Sequence, residues 1–408
     1  MNADGSHAPA NSTAPTRWLN RTVLGIGLAS FFSDWAHEIA TTVLPAFLAT
    51  MGVAAAWLGV IEGVSDGLSS FAKMASGYYT DKLRRRKPIA VAGYLLTSVA
   101  TAAFGLATAA WHVLVARATA WLGRGVRTPV RKALLAGAVT PQTYGRAFGL
   151  ERMMDTMGAI VGPATAMALL PLLHHDFRML FALTLVPGLI AAGLIAFAVR
   201  EQTRTPVPHL SFGARLRLLP PRYRRFVVAV GLFGLGDFAH SMLILLAAQK
   251  LAPALGVTGA ATVAAGLYVL HNVCYAGFAW LAGWLADRFP KAPLLAAGYG
   301  LAAVMAACVI VLPANVWTLA AVFALGGIYV GMEETLEDAL CAELVDAEHH
   351  GMGFGVLATV NGVGDCVSSV AVGALWTAFG TSVAFAYSAV LFTVGALLMW
   401  RVSASRSG

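Results

Sequence analysis

Twelve apolar stretches of about membrane-spanning length divide this chain of 408 residues, and they constrain its fold more than any motif does. They fall at about 22–50, 56–79, 88–109, 111–137, 144–173 and 177–199, then at about 223–250, 258–286, 292–312, 316–345, 350–379 and 381–402. A helix needs about 20 apolar residues to cross about 30 Å of hydrocarbon at 1.5 Å per residue. The chain is 58% apolar and only 12% charged, against about 45–50% and about 25% in soluble domains. A cytosolic enzyme or a nucleic-acid binder is thereby excluded as a reading. The pattern predicts an all-α integral membrane protein of twelve transmembrane helices.

The predicted organisation is a polar N-terminus over 1–21, a six-helix bundle over 22–199, a polar, proline-bearing linker over 200–222, a second bundle over 223–402 and a tail over 403–408. Lysine and arginine set the expected orientation, because they concentrate on the cytoplasmic side. With both termini inside, nineteen of them fall in cytoplasmic segments, whereas the outer loops hold only Arg178 and Lys250. That asymmetry accounts for the net charge of +8 without nucleic acid. Cys274, Cys308, Cys341 and Cys366 lie in apolar segments without metal-ligand spacing and read as packing residues. Residues 1–20 lack the apolar core of a removable signal peptide.

The two halves repeat. Gly77-Tyr-Tyr-Thr-Asp81 recurs as Gly283-Trp-Leu-Ala-Asp287, and Gly145-Arg-Ala-Phe148-Gly149 as Gly351-Met-Gly-Phe354-Gly355, both 206 residues on. Asp34-Trp-Ala-His37 recurs as Asp237-Phe-Ala-His240 at an offset of 203. A six-helix unit duplicated in one orientation places a site between two bundles near mid-membrane.

These residues resemble a known family. GYYTDKLRRRK at 77–87, with Gly77, Asp81 and Arg85, resembles the loop signature between helices 2 and 3 of the major facilitator superfamily. GWLADRFPK at 283–291 is its weaker echo between helices 8 and 9. Leu83 is followed by Arg84 where the family usually has Gly. Gly158-Ala-Ile-Val-Gly162-Pro163 resembles the start of the family's antiporter motif, but Ala166 and Met167 replace its closing glycines. The resemblance, over residues 20–402, implies a secondary transporter in a bacterial inner membrane. It would alternate access by rocking two bundles and mildly favours export by antiport. It also implies that Asp81, Asp287 and their basic neighbours staple helix ends during the switch.

Charges inside the spans point to a wet path, since each costs about 3 kcal/mol facing lipid. Arg117, Arg124, Arg127 and Arg131 recur at spacings of 7, 3 and 4, one helical stripe. The 206 offset maps Arg127, Arg131 and Lys132 onto Glu333, Glu337 and Asp338. This inversion predicts a salt-bridge gate between bundles, Arg131 and Lys132 against Glu337 and Asp338; the alternative is pairing within a bundle, for example with Asp66 or Asp155. Asp34, His37 and Glu38, with Asp237 and His240, are the proton-coupling candidates, because carboxylates in a low-dielectric cavity and nearby imidazoles can titrate near neutrality. The alternative is a metal site built from the two Asp-His pairs, in a transporter of a metal ion or metal chelate. Glu62, Asp66, His271, Asn272, Asn361 and Asp365 complete the candidate cavity lining. No nucleophile elbow, phosphate loop or dinucleotide fingerprint appears, so no enzyme activity, cofactor or ATP-driven step is expected. The expected partners are a polar or charged small molecule, protons and the bilayer, with the monomer as working unit. A non-transporting sensor on the same scaffold is the reading from another class.

Overall fold

Backbone amides that cross hydrocarbon must find partners within their own segment, which leaves helices as the simplest solution. The computed structural model describes residues 17–53, 56–201 and 211–404, and every regular element among them is helical. The first group comprises α1 (Arg21–Thr50), α2 (Ala56–Thr80), α3 (Lys87–Ala102), α4 (Ala110–Ala136) and α5 (Tyr144–Leu172), then α6 (Phe177–Leu183) running into α7 (Leu185–Phe197). A short helix, α8 (Phe212–Leu218), precedes the second group. That group comprises α9 (Pro221–Gly234), α10 (Ser241–Ala286), α11 (Lys291–Val311), α12 (Val316–Leu344), α13 (His350–Phe379) and α14 (Thr381–Ala404). α10 is two helices joined at Gly256, where φ 72° and ψ 166° leave the helical region and favour glycine.

Among the described residues, eight segments are long and apolar enough to cross a membrane by themselves. α1, α2 and α4 lie outside that set and carry Asp34, Glu38, Glu62, Asp66, Lys73 and the arginine stripe. α9 is too short alone but continues through residues 235–240 into α10. With these, and with α10 taken as two, the described residues make twelve passes. The segments read from sequence as a polar N-terminus and tail fall mostly outside the described residues, as does 202–210 of the linker. The described part of that linker is partly helical, and α9 begins at Pro221, whose fixed φ suits a first turn.

Local signals account for the helix starts. Asn20 accepts hydrogen bonds from the Thr22 and Val23 amides and caps α1. Asn315 and Thr318 form a reciprocal capping box on α12. Within the first group α1 packs on α5 and α7, and α4 on α2 and α3; within the second, α10 packs on α12, and α14 on α9 and α11. The groups meet through α5 on α10 and α2 on α13.

That meeting is concentrated at one end of the molecule. There Trp18 lies 5.8 Å from Trp280 of the second group, and the segments before α1 and between the groups fold onto the first: Asn20 donates to the Ala138 carbonyl, Glu201 accepts from the Arg86 and Lys87 amides, and Phe212 lies against Tyr78. This end carries the basic loops. One apolar core runs through both groups and includes the seam at this end, whereas the core around Phe47, Phe104 and Phe181 belongs to the first group alone.

The second group is interrupted where the first is not. α1 runs unbroken past Asp34, but residues 235–240 separate α9 from α10 at Asp237. The freed backbone groups are taken up locally: Ser368 donates to the Asp237 carbonyl, Tyr387 to the Leu235 carbonyl at 2.9 Å, and the Ala239 amide donates to Ser369 Oγ at 3.2 Å. Neighbouring hydroxyls of this kind allow non-helical backbone at membrane depth.

Candidate functional site

The seam between the groups obeys the repeat residue by residue. Gly77 packs on Gly351 and Gly355, and its mate Gly283 packs on Gly145 and Gly149; a methyl group on Gly77, Gly145 or Gly283 would lie within 3.0 Å of opposing backbone. Small residues thus allow the close helix approach that drives packing in lipid. Asp81 accepts from the Gly351 and Met352 amides at 3.0 and 2.8 Å, and Asp287 accepts from the Gly145 amide at 2.8 Å. Each carboxylate therefore sits on the positive N-terminus of a helix from the other group. Repeat mates also touch each other: Tyr144 lies against His350 and Phe148 against Phe354, each pair 206 apart. Mates can meet only on a pseudo-twofold axis, as in an isologous interface.

Charges continue the seam inward. Lys132 Nζ lies 2.6 Å from Asp338 Oδ1, another pair of repeat mates, with both side chains buried. Arg152 reaches Glu334 at 2.8 Å and Asp338 at 3.8 Å from the first group to the second. Arg131 differs from the sequence expectation. It turns into its own group, to Glu151 at 2.9 Å and Asp155 at 3.5 Å, while Glu337 accepts from Tyr299 at 2.5 Å and Asn361 at 2.7 Å. The geometry has a plain cause: Asp155 and Asn361 are repeat mates, so each half closes the same helix–helix contact internally. Among the basic neighbours of Asp81, Arg85 is not the one that pairs with it. It is exposed, and the buried Arg86 pairs with Asp81 instead. Gly162 lets α5 approach α1 beside Glu38, with Pro163 following it inside α5.

Beyond this seam each group carries further polar side chains on its membrane-spanning helices. On the first group, Asp34 pairs with Arg124 at 2.7 Å and Glu62 with Arg117 at 3.0 Å. His37 is buried with its ring edge-on to Trp121, Glu38 is half-buried, and Asp66 is exposed. Arg127 is 3% exposed, has no carboxylate partner among the described residues and lies 3.9 Å over the Tyr94 ring, a cation–π contact. On the second group, Asp237 accepts from Tyr329 at 3.0 Å. The His240 and His271 rings are 4.7 Å apart, and His271 Nδ1 lies 3.2 Å from the Phe323 carbonyl. Asn272 spends its amide on the Tyr268 carbonyl of its own helix. A cavity of about 230 Å³ is lined by Asp237, His240, Glu333, Glu334, Asn361 and Asp365, among others. Among the described residues no three His, Cys, Asp or Glu side chains are arranged to hold a metal ion.

Sequence reasoning assigned no site role to Arg152, Glu334 or Glu151. The repeat mate of Arg152 is Ala358 and that of Glu151 is Leu357, so the offset that found Lys132 and Asp338 could not find them. A charge inside an apolar run was the one signal available.

A sequence model of the Major Facilitator Superfamily matches residues 26–246 and 226–407, nearly the whole chain. The chain belongs to this superfamily. It is similar to an uncharacterised MFS-type transporter of Methanocaldococcus jannaschii, 27% identical over 386 residues, 94% of this chain and 95% of the relative. It is also similar to the multidrug resistance protein MdtH of Shigella boydii, 27% identical over 314 residues, 73% of each chain. The crystal structure of the human organic anion transporter MFSD10 superposes with a TM-score of 0.78 at 16% identity, covering 93% of this chain and 99% of that one; at that identity the likeness shows the fold. The molecule is thus a multi-pass integral membrane protein of an MFS transporter family, with the fold of two six-helix bundles. In these terms α2 with α13 and α5 with α10 form the largest contacts between its two bundles, and the Lys132–Asp338 and Arg152–Glu334 pairs cross between them.

Proposed function

We propose that this MFS protein is a secondary active transporter of a polar or charged small molecule, coupled to protons and working by export through antiport. The observation that carries the reading is the placement of charge. Carboxylates and guanidinium groups lie inside both bundles, which are joined at the basic end by the glycine seam, the reciprocal Asp81 and Asp287 caps and the Lys132–Asp338 pair. A bundle built only to pack would bury such charges at a loss of several kcal/mol per group. With the basic end cytoplasmic by the lysine and arginine count, both termini lie on the cytoplasmic side of a bacterial inner membrane and the site faces outward. Lys132–Asp338 and Arg152–Glu334 then form the inner gate and separate as the bundles rock. Asp34, His37 and Glu38 on one side, and Asp237 and His240 on the other, are the proton-coupling groups, and a monomer suffices.

The test is transport by the purified protein in proteoliposomes. A thermal-shift screen across amino acids, organic acids, sugars and cationic drugs selects a solute, whose labelled form is followed in counterflow and under an imposed pH gradient. Counterflow, with gradient-driven movement lost in Asp237→Asn or Asp34→Asn, is the expected result. Ligand binding without any counterflow would make the protein a sensor, and gradient-driven transport with wild-type pH dependence in both variants would remove the proton assignment.

A further inference from the structure

Several buried carboxylates of the two bundles differ in the partners they meet. In the first, Asp34, Glu62, Glu151 and Asp155 each lie within 4 Å of an arginine. In the second, Asp237 is met by the neutral Tyr329 hydroxyl, and Glu337 by the neutral Tyr299 and Asn361. Glu333 is 7% exposed and forms no hydrogen bond or ion pair among the described residues, yet it lines the 230 Å³ cavity. His240 lines the same cavity, and its buried Nε2 has no hydrogen-bond partner. Of the carboxylates lining this cavity, Glu334 at its edge pairs with the Arg152 guanidinium and Asp365 has the Lys73 ammonium as a charge neighbour, whereas Glu333 pairs with no cation among the described residues.

We propose that this cavity is the binding site for an organic cation bearing an ammonium or amidinium group, with Glu333 as its anchoring carboxylate. A buried carboxylate without a counter-charge is strongly unfavourable, so a mobile positive group must complete it. The groups facing Glu333 are Asp237 from the unwound segment, Glu334, Glu337 and Tyr329 from its own helix, Asp365 from α13 and Tyr299 from α11; none is cationic. A metal ion is disfavoured because the oxygens do not gather as a ligand set among the described residues. The space holds several water-sized volumes of about 30 Å³ each, the scale of a compact one-ring cation. Asp237, Glu333 and Asp365 surround the cation with negative charge, while Asn361, Ser369 and His240 offer neutral polar contacts. A proton is the natural occupant when the cation is absent, so cation and proton would exclude one another at Glu333.

This proposal gives the transport reading a substrate class and rests on it for its role, but its test is a binding measurement that does not require transport. Purified full-length protein in detergent is titrated calorimetrically with benzamidinium, with the neutral benzamide and with benzoate, three probes of similar shape and different charge. Benzamidinium is expected to bind at least tenfold more tightly than either of the others. Glu333→Gln is expected to weaken it about tenfold or more, as loss of a charge-assisted contact does, without lowering the melting temperature. Glu333→Asp, which keeps the charge, should retain part of the affinity and serves if the Gln variant does not fold. Benzamidinium binding no tighter than benzamide, or unchanged within twofold in Glu333→Gln, would overturn the proposal. Cation binding with no counterflow would refute the transport reading alone.

Discussion

Removing Lys132 tests the gate directly, because its ion pair joins the two bundles and exists only while the basic end is closed. Breaking a buried pair by deleting one partner costs about 3–5 kcal/mol. Here the side chains are 11% and 3% exposed, but Arg152 lies 3.8 Å from Asp338 and compensates part of the loss. About 2 kcal/mol is therefore expected for Lys132→Met, roughly a 30-fold shift in the closed-to-open equilibrium. An open state populated at about 1% would rise to about a quarter. Spin labels at positions 84 and 289, exposed at the basic end of each bundle, report the separation by pulsed electron resonance once the four native cysteines are replaced. A longer-distance population should appear in Lys132→Met and in Asp338→Asn, and the exchange Lys132→Asp with Asp338→Lys should reverse much of it. The coupling energy of that double-mutant cycle should be about 1–3 kcal/mol. Unchanged distance distributions in the single variants, with additive effects in the cycle, would mean that glycine packing and the aspartate caps hold the end shut without this pair.

Four further outcomes follow from the geometry. Gly145→Val should open the same seam and reduce counterflow at least tenfold, since its side chain meets the Gly283 carbonyl, whereas Gly193→Ala, with open space around it, should retain wild-type counterflow. Arg131→Gln should destabilise the first bundle by about 3–5 kcal/mol, read as reduced resistance to denaturant; Glu151→Gln should partly rescue it, and Glu337→Arg should not. Glu333→Gln should raise the thermal midpoint in ligand-free protein, because the wild-type carboxylate has no partner and must take up a proton to stay buried whereas the amide is neutral without one, and a lower midpoint would contradict that account. Asp81→Asn and Asp287→Asn should each lengthen the spin-label distance at the basic end, and together more than either alone, since each carboxylate caps a helix of the opposite bundle.

The placement of the polar residues separates what each level of description decides. The positions of the apolar runs, the duplication and the loop signature were all legible along the chain, because each is a one-dimensional pattern that hydrocarbon and symmetry impose on sequence. The offset of 206 even singled out Lys132 and Asp338, because repeat mates on the pseudo-twofold axis must face each other. The same reasoning failed for Arg131 and Glu337, one residue away from that pair. A step of one residue turns a helix side chain by about 100°, which carries Arg131 off the axis and onto Glu151. Which basic neighbour pairs with Asp81, Arg86 rather than Arg85, was likewise not legible, since direction in a short loop is set by packing.

Charge type was also readable, but charge partnership was not. Asp34 and Asp237 are indistinguishable as letters in two matching motifs, yet one meets Arg124 and the other a tyrosine hydroxyl beside an interrupted helix. Spacing fixes which residues share a face of one helix. Which face meets which neighbour, and whether a buried carboxylate finds a cation or an empty cavity there, is decided when helices distant in sequence pack, because ion pairing depends on separations of a few ångströms that no periodicity encodes.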